Sequence, residues 1–321
     1  MTETDSQTPE LRSGVLFGLG AYVLWGVFPL YFKQIESVAP VEILLHRIVW
    51  AVPFGALILS LRRQWPEVTA ALRRPGTILW LGLSALCIAA NWLIYIWGVV
   101  NERIFEASLG YYINPLMYVL VGVVFFGERL RRAQLAAVIL ATTGVLVLAL
   151  QGGMIPWVSL CLASLFTAYG VIRKQVSIAA MPGLFTETAL LFPLACGGLA
   201  WLALDQRGSF AAADASTSGL LLLAGPITVF PLLFFAVAAR RLRLTTIGFM
   251  QFIAPTLQFM IGIYYGEILT TAHLVCFGCI WGAAVFFSYD ALRAGRQLRR
   301  VRARRPRSAA AEPRRASDER R

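Results

Sequence analysis

The sequence predicts an all-α fold: a polytopic membrane protein of ten transmembrane helices in two inverted five-helix repeats. Three observations lead there. The 321 residues are 58% hydrophobic and only 14% charged, more apolar and less charged than soluble domains. Ten apolar runs of near-spanning length follow one another along the chain. Finally, the stretch from Ala107 to Leu130, ASLGYYINPLMYVLVGVVFFGERL, is echoed from Thr246 to Leu269 as TIGFMQFIAPTLQFMIGIYYGEIL. Pro115 falls against Pro255, Gly122 against Gly262 and Gly127-Glu128 against Gly266-Glu267, an offset of 140 residues that slips by one at the end.

In chain order the first five runs are 14–33, 41–61, 78–100, 107–126 and 134–150, and the second five are 154–173, 183–204, 219–239, 245–266 and 272–290. Several are short or contain Gly and Pro, which a helix packed among neighbours tolerates. Five is odd, so a second copy enters the membrane from the opposite side and the repeat is inverted. Tyr31-Phe32-Lys33-Gln34 at the end of the first span matches Val171-Ile172-Arg173-Lys174-Gln175 at the end of the sixth, in the same register. The chain thus divides into an N-terminal segment (1–13), a first repeat (14–150), a second repeat (151–290) and a basic tail (291–321). Residues 1–13 are polar and lack a basic n-region, so the first helix is read as uncleaved.

Basic residues set the orientation. With both termini in the cytoplasm, only Lys33, Arg103 and Arg207 of the 29 Lys and Arg lie outside and only Arg47 lies within a span. The net charge of +12 therefore reads as topology rather than as a nucleic-acid face, and no nucleic-acid partner is expected. The arginine-rich tail after Asp290 has little apolar content; it is read as disordered and as an anchor to the anionic headgroups of the lipid bilayer. All five cysteines fall in apolar segments and behave as small hydrophobes. His273, Cys276 and Cys279 share a helical face but lack a fourth ligand, so no metal and no cofactor is expected.

Charge within hydrocarbon is costly and usually faces a cavity or a partner. Arg47, with His46 beside it and Glu42 one turn before, opens the second span; Glu187 opens the seventh, at the position equivalent to Arg47. At a helical rise of ~1.5 Å per residue the two lie roughly 15 Å apart in depth, which opposes a direct pair. Asn91, Tyr95, Tyr111, Tyr112 and Asn114 come to the level of Arg47 and form an outer polar and aromatic layer. Gln251 and Pro231 come near the level of Glu187, with Thr228 somewhat deeper, as an inner layer. Tyr22 and Trp25 of the first span are candidates to line the middle. These eleven residues (Arg47, Glu187, His46, Asn91, Tyr95, Tyr111, Tyr112, Asn114, Gln251, Tyr22 and Trp25) are the candidates for substrate binding or gating. Packing explains several equally well: Asn114 can satisfy a carbonyl freed by Pro115, Arg47 can pair with Glu42, and Glu187 can complement a helix dipole. Glu128 and Glu267 fit capping or packing against the following helix, and Gly110, Gly122, Gly127, Gly248 and Gly262 fit close helix approach.

At Asn91-Trp92-Leu93-Ile94-Tyr95-Ile96-Trp97, at Glu106-Ala107-Ser108-Leu109-Gly110-Tyr111-Tyr112-Ile113-Asn114-Pro115-Leu116 and at Gly127-Glu128-Arg129-Leu130, the chain resembles the RarD, or chloramphenicol-sensitivity, group of the EamA family in the drug/metabolite transporter superfamily. Gly225-Pro226-Ile227-Thr228, Ala238-Ala239-Arg240-Arg241-Leu242 and the segment from Gly248 to Leu257 extend the likeness over residues 14–290. The resemblance implies ten helices, two inverted repeats, a bacterial inner-membrane location and carrier-type transport, with Arg47 matching an arginine of the second helix. The tail lies outside it. The resulting expectation is an alternating-access carrier for a small metabolite or drug-like molecule, with Arg47 suited to a carboxylate or other anion and Glu187 to a proton or amine. A homodimer is left open. An intramembrane enzyme on lipid-linked substrates would want clustered His, Asp or Glu at one face, which the sequence does not offer. A channel is the other alternative. No P-loop signature occurs, which argues against direct ATP use.

Overall fold

Prolines open several of the helices. Pro29, Pro40, Pro66 and Pro75 each stand in a first helical turn, where the missing N–H leaves no bond unmade. In the computed structural model, which describes residues 4–127, 129, 130, 132–152, 155–206, 208–212, 214–242, 246, 247 and 250–304, the secondary structure among the described residues is helical. The elements are α1 (Thr4–Gly26), α2 (Phe28–Lys33), α3 (Pro40–Leu61), α4 (Trp65–Leu72), α5 (Pro75–Val100), α6 (Ile104–Phe126), α7 (Arg132–Gly152), α8 (Trp157–Arg173), α9 (Ala180–Leu204), α10 (Ser209–Ala212), α11 (Ala215–Arg241), α12 (Ile253–Tyr264) and α13 (Thr271–Arg304). Seven of the helical spans are long and apolar enough to cross a membrane, and α12 and the apolar part of α13 are shorter. Among the described residues each of the ten expected runs contains helix, and the protein is a multi-pass membrane protein.

The packing carries the repeat. α1 packs on α11, α5 on α8, α3 on α11 and α9, α6 on α8 and α12, α1 on α12, α5 on α9, and α7 on α13. Exchanging each helix of the first half with its counterpart (α1 with α8, α3 with α9, α5 with α11, α6 with α12, α7 with α13) returns the same set of pairs. Direction inverts as well. The N-terminal turn of α3 lies at the bundle end that carries α10, where Glu42 accepts from the Ser209 backbone N–H at 2.6 Å. The residue before α9 lies at the opposite end, where the Ala179 N–H donates to Glu67 of α4 at 3.4 Å. The turns that close the two copies also agree: Gly127 and Gly266 both take left-handed backbone, at φ 62° and 78°, with open space around them. The one-residue slip of the glycine leaves the hydrogen-bond register untouched, because the N–H of residue 127 meets the Gly122 carbonyl and that of residue 267 meets the Gly262 carbonyl.

Four features depart from expectation. The first span is divided at Val27, and its helix begins at Thr4, ahead of the apolar run. The ninth span is not continuous: a turn at Gln251 and Phe252 precedes α12, because Pro255 has no N–H to offer the Gln251 carbonyl. Pro115, in the first copy, sits inside an unbroken α6. The tail expected to be disordered is helical from Asp290 as far as Arg304, over a stretch of Ala, Leu, Arg and Gln that favours helix locally; residues 305–321 lie outside the described residues. Glu267 caps α6, accepting from the backbone N–H groups of Ile104 and Phe105, rather than the helix that follows it. Glu128 and Gly248 lie outside the described residues.

Candidate functional site

Among the described residues, two buried polar clusters hold Arg47 and Glu187. The first surrounds Arg47, 5% exposed in the first half of α3. Its Nε donates to the Thr228 hydroxyl of α11 at 2.7 Å, and its guanidinium lies 4.1 Å from the centre of the Trp92 ring and 5.5 Å from that of Phe28. Tyr31, Tyr95 and Tyr111 lie within electrostatic reach of the charge. Tyr111 donates to Asn91 Oδ1 at 3.1 Å, and the Asn91 amide in turn donates to the Leu162 carbonyl at 3.0 Å, which fixes both to α8. The Tyr95 and Tyr111 rings meet edge to face at 5.6 Å. Arg47 Nη1 and the Tyr95 hydroxyl are buried without a partner.

The second cluster surrounds Glu187, 0% exposed in the first half of α9. Ser84 of α5 donates to one carboxylate oxygen at 2.6 Å, Tyr169 of α8 to the other at 3.4 Å, and Arg173 at the end of α8 pairs with it at 3.5 Å. Gly183, one turn before Glu187, makes room for this: a Cβ there would overlap the Arg173 guanidinium. The two clusters are built alike. Arg47 and Glu187 occupy equivalent positions on equivalent helices, and each is held by a hydroxyl from the equivalent helix of the other half, Thr228 on α11 and Ser84 on α5.

The structure thus brings Arg47, Asn91, Tyr95 and Tyr111 together and keeps Glu187 apart from them, as depth counting expected. It also rearranges several candidates. Tyr112, counted with the Arg47 layer, points to the other side of α6, where it bonds Thr256 at 2.5 Å and packs on Phe252 and Phe277. Depth alone does not distinguish faces of one helix, and adjacent residues are about 100° apart around the axis. Thr228, counted with the inner layer, holds Arg47 instead. Gln251 lies in the turn before α12 and is not among the hydrogen-bond partners of Glu187. Asn114 is buried with its Oδ1 unpartnered. Tyr22 and Trp25 meet at 5.4 Å and pack on Phe235 of α11; the Trp25 carbonyl accepts from Gln258 at 3.1 Å. His46 accepts from the Trp50 indole N–H at 3.1 Å and lies against Phe210 of α10, with Glu42 at 3.9 Å. Glu42 is engaged with Ser209 through backbone and side chain, so it is not the partner of Arg47. His273 pairs with the Thr270 hydroxyl at 2.7 Å, and Cys276 is buried against Gly144.

Sequence reasoning missed Arg173, Ser84, Tyr169, Trp92 and Tyr31. Arg173 was assigned to topology because it ends a span. The available signal was the spacing of Gly183 and Glu187 by one helical turn, which leaves a notch beside a buried acid.

Comparison with known proteins adds three findings. A family model described as the EamA-like transporter family matches residues 12–150. A protein named RarD from Salmonella typhi is 45% identical over 285 residues, covering 88% of this chain and 97% of its own, and a protein named as an uncharacterized transporter from Vibrio cholerae is 42% identical over 294 residues, covering 91% and 97%. A protein of known crystal structure shares the fold at a TM-score of 0.54 and 21% identity, over 86% of this chain and 96% of that one.

Proposed function

Since the chain belongs to the EamA-like transporter family, in its RarD group, and is a membrane transporter, we propose that it works as a secondary carrier by alternating access. One observation carries this reading: two inverted halves hold equivalent ionisable residues near opposite ends of the bundle, each clamped by a hydroxyl from the other half. A rigid-body rocking of the halves changes both clamps at once. At the end that carries α4, the bond of Ser84 with Glu187, whose carboxylate Arg173 and Tyr169 hold from within the second half, is a latch whose parting opens that end. At the other end, Glu42 tethers α10 through Ser209, and His46 packs on Phe210.

The cargo in this reading is a small metabolite or drug-like molecule. The membrane is the bacterial inner membrane, with both termini and the α4 end on the cytoplasmic side. The bias of Lys and Arg along the chain supports that orientation. Residues 14–150 and 151–290 are the two halves, and the basic tail contacts anionic headgroups.

The test is uptake by the purified protein in sealed vesicles, screened across small metabolites. A carrier gives saturable uptake that is accelerated by unlabelled substrate on the opposite side. Flux that rises linearly with concentration and shows no counterflow marks a channel and sinks the proposal, as does chemical conversion of the cargo.

A further inference from the structure

The polar groups around Arg47 divide into those that are spent and those that are free. Tyr31 donates to the Leu220 carbonyl at 2.8 Å, Tyr111 to Asn91, and Asn91 to Leu162. These three are scaffold. Arg47 Nη1 and the Tyr95 hydroxyl, on residues 5% and 2% exposed, are buried donors with no acceptor. A buried donor left unmade costs the protein its desolvation without return, more so for a charged one.

The charge balance points the same way. Every acid near enough to matter is committed elsewhere: Glu42 to Ser209, and Glu187 to Arg173, Ser84 and Tyr169. Among the described residues no carboxylate pairs with Arg47. Among the described residues the cluster therefore holds one uncompensated positive charge, and the groups in electrostatic contact with Arg47 are tyrosines. That suits a monoanion and not a phosphate dianion, which would leave a net negative charge in a buried site.

Shape narrows it further. With Nε tied to Thr228 and the guanidinium held over Trp92, what remains is Nη1, which with the Tyr95 hydroxyl offers two donors to the two oxygens of a carboxylate. The surrounding Phe28, Phe32, Trp92, Tyr95 and Tyr111 rings offer an apolar wall for the rest of a molecule. From this geometry we propose that the Arg47 cluster is the headgroup site of the cargo, and that the cargo is a monocarboxylate with an apolar or aromatic body whose carboxylate accepts from Arg47 Nη1 and the Tyr95 hydroxyl. This rests on the carrier reading above and names its substrate class.

The experiment is equilibrium binding to the purified protein, with no gradient present. The probes are radiolabelled phenylacetate, its neutral isostere phenylacetamide, phenethylamine and inorganic phosphate. Phenylacetate is expected to bind saturably and at least about tenfold more tightly than phenylacetamide, as a charge-assisted bidentate contact requires, with phenethylamine and phosphate failing to displace it. Arg47→Gln removes the preference for acid over amide. Tyr95→Phe, which keeps the ring and its packing, weakens phenylacetate about fivefold and leaves phenylacetamide unchanged. The proposal is overturned by equal affinity for acid and amide, by the absence of saturable phenylacetate binding, by displacement with phosphate, or by an acid preference that survives both substitutions. Counterflow separates the two readings. Phenylacetate that binds in this pattern without counterflow overturns the carrier and leaves the site standing, whereas counterflow of uncharged or cationic cargo without carboxylate binding does the reverse.

Discussion

Replacing the buried Arg47 and the partly buried Arg173 by methionine, a side chain of similar length, is expected to have different consequences. In Arg173→Met, Glu187 stays fully buried and keeps only the hydroxyls of Ser84 and Tyr169. Breaking a buried ion pair so that one charge is stranded costs about 3–5 kcal/mol, and the partial exposure of Arg173 puts this case near the lower figure. In Arg47→Met no acid is stranded. The losses are one charged hydrogen bond to Thr228, about 1.5 kcal/mol, and the stacking on Trp92, about 1–2 kcal/mol. Against them stands the release of an uncompensated buried cation, worth several kcal/mol. Arg47→Met should therefore leave stability unchanged or raise it slightly, while Arg173→Met lowers it by about 3 kcal/mol. At roughly 2–4 °C per kcal/mol for a chain of this class, the two variants should differ by about 6–12 °C in thermal midpoint in detergent. Equal destabilisation by the two substitutions would refute the reasoning, since it would make Arg47 a structural residue with a partner, like Arg173.

Three further outcomes follow from the same geometry. Gly183→Ala should expel the Arg173 guanidinium and destabilise by about 1–3 kcal/mol, yet cost under about 0.5 kcal/mol in an Arg173→Met background, a coupling that a double-mutant cycle in thermal midpoint reads directly. Glu267→Ala should uncap α6, lowering stability by about 1–2 kcal/mol and speeding hydrogen exchange at the Ile104 and Phe105 amides above that of the helix interior. Gly127→Ala and Gly266→Ala should each cost about 1–2 kcal/mol through backbone strain alone, and near-equal values in a denaturation series would show the two turns to be equivalent.

The membrane fold was legible because its signals are local and repeated. Apolar length marks a span, and the Pro, Gly and Gly-Glu pattern recurs at a fixed offset, so the ten helical runs and their inversion follow from residues as plain as Pro115 and Gly127. The break before α12 was harder to see, because Pro115 and Pro255 match in sequence while only the second interrupts its helix. The site was legible in depth but not in azimuth. Arg47, Asn91, Tyr95 and Tyr111 fall together because depth and face agree, whereas Tyr112, next in the chain, turns to Thr256. Contacts between halves, such as Arg47 with Thr228, join residues nearly two hundred positions apart, and no spacing rule reaches that far. Arg173 shows the reverse failure: a topology rule accounted for it so completely that its second use, as the partner of Glu187, went unseen.

The claim that the two ends of the bundle open in alternation can be tested without knowing the cargo. In a cysteine-free background, spin labels at Ser37 and Ser216 report on the end that carries α10, and labels at Thr69 and Ser177 report on the end that carries α4. Distance distributions for both pairs are measured in the parent chain and after Ser84→Ala, which removes the bond that Glu187 makes across the halves. The account predicts that the substitution lengthens the Thr69–Ser177 population and shortens the Ser37–Ser216 population together. A longer distance at the α4 end with no change at the α10 end, or single unchanged distances at both, would contradict it.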